Sequence, residues 1–152
     1  MKKFRFSLET VLDFKQQALD ALQVEHGAIL AQIQEQELEI DEMEAAYRHL
    51  DQEFNRRKRE GISVVDAMKY DQYLRAQERE LKAAYQRLAE LRKKAEEKRQ
   101  EVVEAKKETS SIEKLREKKL EAYNKAVQKS EEAMIDELVS TKRVMAAQGA
   151  RM

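Results

Sequence analysis

Apolar residues recur at alternating steps of four and three through the first part of the chain. The stripe runs Leu8, Leu12, Lys15, Leu19, Leu22, His26, Ile29, Ile33, Gln36, Ile40, Met43, Tyr47, Leu50 and Phe54, and eleven of these fourteen positions are apolar. This spacing is the heptad repeat of a coiled-coil helix. A second, weaker stripe with several alanines runs from Tyr70 to Ile112. The pattern therefore predicts two long helices.

A turn is predicted between the two stripes, in the stretch RRKREGISVVD. Gly61 can leave the helical conformation, and Ser63 with Asp66 forms an S-x-x-D cap for a new helix. We expect helix 1 over about 6–59, a turn over about 60–63 and helix 2 over about 64–145. The remaining residues, 146–152, are expected to form a flexible tail of the same single domain, 1–152.

These helices either fold back on each other or form one straight rod that pairs with a second chain. Folding back at Gly61 keeps the steps of four and three in phase along both helices. Phe54 then lies opposite Tyr70, and further along Leu12 lies opposite Ile112. The matched phase favours an all-α fold, a long two-helix antiparallel coiled-coil hairpin.

Charge supports the same pairing. The segment 25–53 holds nine acids and one arginine, whereas its expected partner, 71–99, holds nine bases and six acids. One break in the pattern is not explained by this pairing, because Gln36 faces the apolar Leu88.

The hairpin leaves about 30 residues of helix 2 without a partner helix, so the C-terminal helix is expected to overhang. Its apolar positions fit the register of Ile112 only if the phase shifts near Lys119. After that shift the apolar positions are Leu120, Tyr123, Val127, Met134 and Leu138.

Composition narrows the function. The 152 residues are 39% charged with 30 basic and 30 acidic side chains, have a mean hydropathy of -0.85, and include no proline, no cysteine and three glycines. Such a chain buries a thin seam rather than a thick core. The sequence contains no apolar run long enough to span a membrane, no phosphate-binding glycine loop and no thiolate. We therefore expect a non-enzymatic protein with no catalytic, cofactor-binding or metal-binding residues, no cofactor and no direct membrane insertion.

Aromatic residues cluster near the N-terminus. Phe4, Phe6 and Phe14 are three of only nine phenylalanines and tyrosines, and all lie in the first sixteen positions. Clustered aromatics suit either an end that docks on a partner or a clasp that closes the coiled coil.

Several short motifs resemble those of the flagellar export stalk protein FliJ family, in order and in spacing along essentially the whole chain. They are Phe4-x-Phe6-x-Leu8-Glu9-x-Val11-Leu12, Gly61-Ile62-Ser63, Tyr70-x-x-Tyr73-Leu74, Ile112-Glu113-Lys114-Leu115 with Tyr123, and Asp136-Glu137. The family is related to injectisome stalk proteins and is similar to the gamma shaft of rotary ATPases. The resemblance implies a cytoplasmic component of type III export, placed peripherally at the inner-membrane export apparatus. It would insert into the hexameric export ATPase ring, promote ring assembly, contact the cytoplasmic domain of the membrane export gate and bind export chaperones.

The resemblance also implies two sets of partner-binding residues. The ATPase-binding set would be Phe4, Phe6, Leu8, Leu12, Leu120, Tyr123 and Val127. The gate-binding set would be Gln36, Ile40, Met43, Tyr47, Tyr70, Leu74, Gln77 and Leu81. Every member of the second set also belongs to the predicted seam, so a purely structural role remains open for it.

A generic interaction rod is the alternative, either a homodimeric coiled coil, a prefoldin-like chaperone arm or a hairpin that contacts nucleic acid. The basic runs RRKR at 56–59 and RKK at 92–94 could contact phosphate. Because the net charge is zero and acids are interleaved, a solvated turn is favoured and no nucleic-acid partner is expected.

Overall fold

The chain is an all-α helical hairpin in a computed structural model that describes residues 2–150. Helix α1 spans Glu9–Glu60 with 52 residues, and helix α2 spans Val64–Ala150 with 87 residues. Nothing in either span interrupts helix propagation, since the sequence has no proline and its glycines are few. The predicted fold class is confirmed.

The turn between the helices is set by two residues that the sequence singled out. Gly61 has a φ of 101°, which side chains with a Cβ rarely adopt. The Oγ of Ser63 accepts a hydrogen bond from the backbone N–H of Asp66 at 3.1 Å, so Ser63 caps α2. Basic residues in the last turn of α1 complement the negative end of the helix dipole.

The contacts divide the chain into two compact units, and both helices contribute to each. Unit 1 consists of the residues up to Ala18 together with those from Ala105 onward, and unit 2 consists of Leu19–Glu104.

In unit 2 the two helices pack along a narrow apolar seam. Ile40, Ala84 and Leu88 form its core cluster, and Ala84 is completely buried. A side chain as small as that of alanine lets the helix backbones approach closely. Nearer the turn, the Phe54 and Tyr70 rings lie 5.1 Å apart between centroids, which confirms this predicted pair.

Polar positions in the unit 2 seam find partners at its edges. The amide of Gln36 donates to the backbone carbonyl oxygen of Ala84 at 3.4 Å, which explains the break in the first stripe. Lys98 lies between Glu101 and Glu25, at 2.8 and 2.9 Å, and these carboxylates raise the pKa of Lys98 to about 12. Ion pairs between α1 and α2 thus flank the seam, as the charge pattern predicts.

In unit 1 the helix begins later than expected, at Glu9 rather than near residue 6. Residues 2–6 have no regular secondary structure, and the backbone N–H of Glu9 donates to the carbonyl oxygen of Phe6 at 3.1 Å. Phe6 is buried, with 8% of its surface exposed. The segment therefore packs its aromatic side chain without joining the helix.

The phase shift predicted near Lys119 is visible in the burial of α2. Partly buried positions advance by four from Ile112 to Arg116 and again by four to Leu120, before Tyr123 and Val127 follow. Beyond Val127 every described residue is exposed, from 128 to 150.

The C-terminal part of α2 continues to Ala150 rather than ending near residue 145. The predicted tail, 146–152, is thus helical up to Ala150, residues 151 and 152 lie outside the described part of the chain, and its flexibility stays a prediction. None of the helices in residues 2–150 combines the length and apolar character needed to cross a membrane.

Candidate partner-binding surfaces

Unit 1 joins the N-terminal segment to α2 through an aromatic cluster. The rings of Phe4 and Tyr123 lie 5.6 Å apart between centroids and are tilted by 52°. The guanidinium carbon of Arg116 lies 5.6 Å from the Phe4 centroid, a cation–π geometry, and its Nε lies 2.9 Å from Oε2 of Glu9. The Tyr123 hydroxyl donates to the carbonyl oxygen of Lys2. These contacts fix the segment before α1 against α2.

The predicted ATPase-binding residues all lie in unit 1, and the aromatic cluster brings Phe4 and Tyr123 into direct contact. Phe6 is buried, so its side chain presents little surface to a partner. The other members of the set are half-buried, namely Phe4, Leu8, Leu12, Leu120, Tyr123 and Val127. A half-buried side chain can pack within the hairpin and still contact a partner through its exposed side.

Unit 1 has a second apolar surface, on the C-terminal part of α2, whose residues do not belong to the predicted ATPase-binding set. Six large apolar side chains of α2 have between 43% and 67% of their surface exposed, namely Met134, Ile135, Leu138, Val139, Val144 and Met145. Phe14 is 68% exposed as well, although it belongs to the same N-terminal aromatic group as the buried Phe6. The sequence does indicate this surface, because apolar residues such as Met134 and Leu138 continue at helical spacing after Val127.

Unit 2 contains the predicted gate-binding residues, spread along both sides of its seam. Ile40 and Leu74 are buried, with 3% and 5% of their surfaces exposed. The others are half-buried, namely Gln36, Met43, Tyr47, Tyr70, Gln77 and Leu81. The seam therefore exposes the flanks of the larger and more polar members, as expected for knobs in a two-stranded interface.

Tyr47 anchors a polar cluster on one flank of this seam. Its hydroxyl donates to Oε1 of Glu78 at 2.6 Å, and Nη1 of Arg75 lies 2.6 Å from the same oxygen. The hydrogen bond raises the pKa of Tyr47, while the Tyr47 and Arg75 donors lower the pKa of Glu78. The cluster holds the tyrosine ring across the gap between the helices.

Two further residues of the predicted gate-binding set, Tyr70 and Gln77, have weakly bonded or unbonded polar atoms. The Tyr70 hydroxyl lies 3.5 Å from Oε1 of Glu53, at the outer limit of a hydrogen bond. Oε1 of Gln77 is buried and has no hydrogen-bond partner among the described residues. A buried acceptor without a partner costs stability, and a donor supplied by another molecule would satisfy it.

The described residues thus form a two-helix hairpin with a polar-flanked seam in unit 2 and an uncovered apolar segment in unit 1. A protein-family model described as the flagellar FliJ protein matches residues 4–148. The chain belongs to this family and is a component of the flagellar export apparatus. Comparisons with curated proteins and with solved structures gave no match.

Proposed function

We propose that the chain is the stalk of the flagellar type III export apparatus. In this role it inserts into the hexameric export ATPase ring, promotes ring assembly, couples the ring to the membrane export gate and binds export chaperones. Membership of the FliJ family supports a place in this apparatus. The observation that carries the finer proposal is the uncovered C-terminal part of α2, where every residue from 128 to 150 is exposed.

An amphipathic helix with its apolar side uncovered favours a protein partner. Met134 and Leu138 lie one helical turn apart and have 65% and 61% of their surfaces exposed. Grouped apolar exposure of this kind is uncommon on a protein that acts alone. We assign this face, together with the exposed flanks of Phe4, Leu8, Leu12, Leu120, Tyr123 and Val127, to the ATPase ring.

The export gate is assigned to the flanks of the unit 2 seam. Tyr47 and Tyr70 are the largest half-buried members of this set, and each hydroxyl is close to a carboxylate that can also face a partner. Ile40 and Leu74 would contribute through packing, because so little of their surface is exposed. Partner contact and hairpin stability are therefore coupled at this surface.

The proposed role requires no chemistry from the chain itself. Stimulation of an ATPase by a stalk comes from differential binding, since a ligand that prefers the assembled ring shifts the equilibrium toward that ring. We place the chain at the cytoplasmic face of the inner membrane, where ring and gate would both be within reach.

The experiment measures binding to the purified ATPase ring and to the purified gate domain. Met134→Ser with Leu138→Ser should weaken ring binding about 30-fold, the effect of losing about 2 kcal/mol of interface energy, and should spare the gate. Val24→Ser with Leu30→Ser is the matched control, because these side chains are also exposed but lie in unit 2.

Two aromatic variants complete the test. Phe4→Ala with Phe6→Ala should weaken ring binding, and Tyr47→Ala with Tyr70→Ala should weaken gate binding. Thermal melts monitored by circular dichroism measure the accompanying loss of stability, which is substantial for the buried Phe6. Equal loss of both partners in every variant, or no binding to either, would leave a generic interaction hairpin as the better description.

A further inference from the structure

The vertex of the hairpin exposes an apolar surface that the proposed function does not use. We call Arg56–Val65 together with Met68 the hairpin tip. Val64, Val65 and Met68 have 77%, 63% and 57% of their surfaces exposed. An open hollow at Val64 and Met68 is also lined by Ile62, Ala67, Asp71 and Gln72. No described residue covers the two valines or Met68.

Four consecutive cations lie directly behind this apolar surface. The ammonium of Lys58 lies 4.1 Å from the centroid of the Phe54 ring. The guanidinium carbon of Arg57 lies 5.9 Å from the centroid of the Tyr70 ring. Arg59 donates only to a backbone carbonyl oxygen, that of Asn55. Within residues 2–150 none of the cations at 56–59 forms an ion pair with a carboxylate. Their charge is therefore available to an external anion.

The cations and the valines of the hairpin tip lie at different distances from the turn. At 1.5 Å per residue, the cations lie within about 6 Å of the end of α1 at Glu60. Val64 and Val65 begin α2 at the turn itself, whereas Met68 lies four residues further along, at a depth similar to that of Arg56. The two valines are therefore foremost, and the cations follow. The surface of an anionic bilayer has the complementary order, with phosphates outside and acyl chains a few ångströms below.

We propose that the hairpin tip binds the surface of anionic lipid bilayers. The cations would bind lipid phosphates, and the aliphatic side chains would enter the headgroup region, with neither helix crossing the membrane. This proposal does not rest on ATPase or gate binding. Aliphatic foremost residues favour lipid over RNA, because valine offers no ring on which a base can stack.

Flotation of the full chain with lipid vesicles tests the proposal. We expect binding to vesicles of phosphatidylcholine with roughly one third phosphatidylglycerol, weakened by salt, and little binding to phosphatidylcholine alone. Each cation near such a surface contributes about fivefold in affinity, so Arg56→Ser with Arg59→Ser should weaken binding about 25-fold. Lys93→Ser with Lys94→Ser removes the same charge from an exposed part of α2 and should leave binding within about twofold.

A fluorescence measurement tests the apolar part separately. The chain contains no tryptophan, so Val65→Trp introduces a single probe at the tip and Val24→Trp a matched probe at an exposed position on α1. Anionic vesicles should shift the emission of the first probe to shorter wavelength, and brominated lipids should quench it, with neither effect on the second. The proposal is wrong if anionic vesicles do not bind, if both charge variants weaken binding equally, or if the tip cations matter only to an RNA oligonucleotide or an acidic protein.

Discussion

Replacing Ile40 by alanine tests whether the seam between α1 and α2 holds the hairpin together. Ile40 is 3% exposed and packs in the cluster with Ala84 and Leu88. Leu38 lies two residues away on the same helix but is 59% exposed, so Leu38→Ala removes a side chain of equal size without touching the seam. The two variants differ mainly in the burial of the side chain that is removed, so the difference between their stabilities measures the contribution of burial.

The expected magnitude follows from this burial. Truncating a buried isoleucine to alanine costs about 2–5 kcal/mol through lost transfer energy and the cavity left behind. A seam only two helices wide can partly close over that cavity, and alanine slightly favours the helix, so we expect about 2–3 kcal/mol for Ile40→Ala. The exposed Leu38→Ala should change stability by no more than about 0.5 kcal/mol.

Thermal unfolding followed by circular dichroism measures the difference. For a chain of this size each kcal/mol shifts the midpoint by about 2–4 °C, so Ile40→Ala should melt about 4–12 °C lower and Leu38→Ala close to the original protein. The melting midpoint should not depend on protein concentration, because an intrachain hairpin unfolds without dissociation. Equal shifts in the two variants, or a midpoint that rises with concentration, would refute an intrachain seam at Ile40.

Three further predictions follow from the turn, from one carboxylate and from the register. Gly61→Ala should lower stability by about 1–2 kcal/mol because of its positive φ, whereas Gly27→Ala inside α1 should raise it by about 0.5–1 kcal/mol, and thermal midpoints that move in the same direction would contradict this. The pKa of Glu78 is held below its usual value of 4.5, so its stabilising effect is present above about pH 4.5 and is lost as pH falls through the folded pKa. Glu78→Gln should therefore flatten the acid side of a plot of melting midpoint against pH, and an unchanged slope would argue against the carboxylate cluster. Spin labels at Leu22 and Val102 should be close within one molecule in dilute solution, since both face the seam of unit 2, and separation beyond about 30 Å would contradict the register.

The pairing of the helices could be predicted because both stripes carry the same phase. Phe54 meets Tyr70 as the alternation of fours and threes requires. The cap at Ser63 was also readable, since the S-x-x-D spacing brings the hydroxyl to the backbone N–H of Asp66.

The start of α1 could not be read from the same pattern. Phe4 and Leu8 are four residues apart, which is the spacing of neighbouring side chains on one face of a helix. Phe4 nevertheless lies in a segment without helical structure and packs on Tyr123. Periodicity records which side chains are apolar and does not distinguish a helical turn from an extended segment that packs on the same neighbour.

Gln36 shows a second limit of the sequence. Its partner is the backbone carbonyl oxygen of Ala84, a group that every residue carries and that no sequence pattern identifies. The partner-binding sets have a similar limit, because burial of Ile40, Leu74 and Phe6 depends on packing while the heptad spacing treats all seam positions alike.

ATP hydrolysis by the purified cognate export ATPase, measured as the chain is added, tests the stalk proposal most directly. The chain alone should hydrolyse no ATP, and substoichiometric amounts should raise the rate by promoting ring assembly. The variant Met134→Ser with Leu138→Ser should require about 30 times more protein for the same rate, whereas Val24→Ser with Leu30→Ser should act like the original chain. A hydrolysis rate that stays unchanged at every ratio of chain to ATPase would contradict the stalk role.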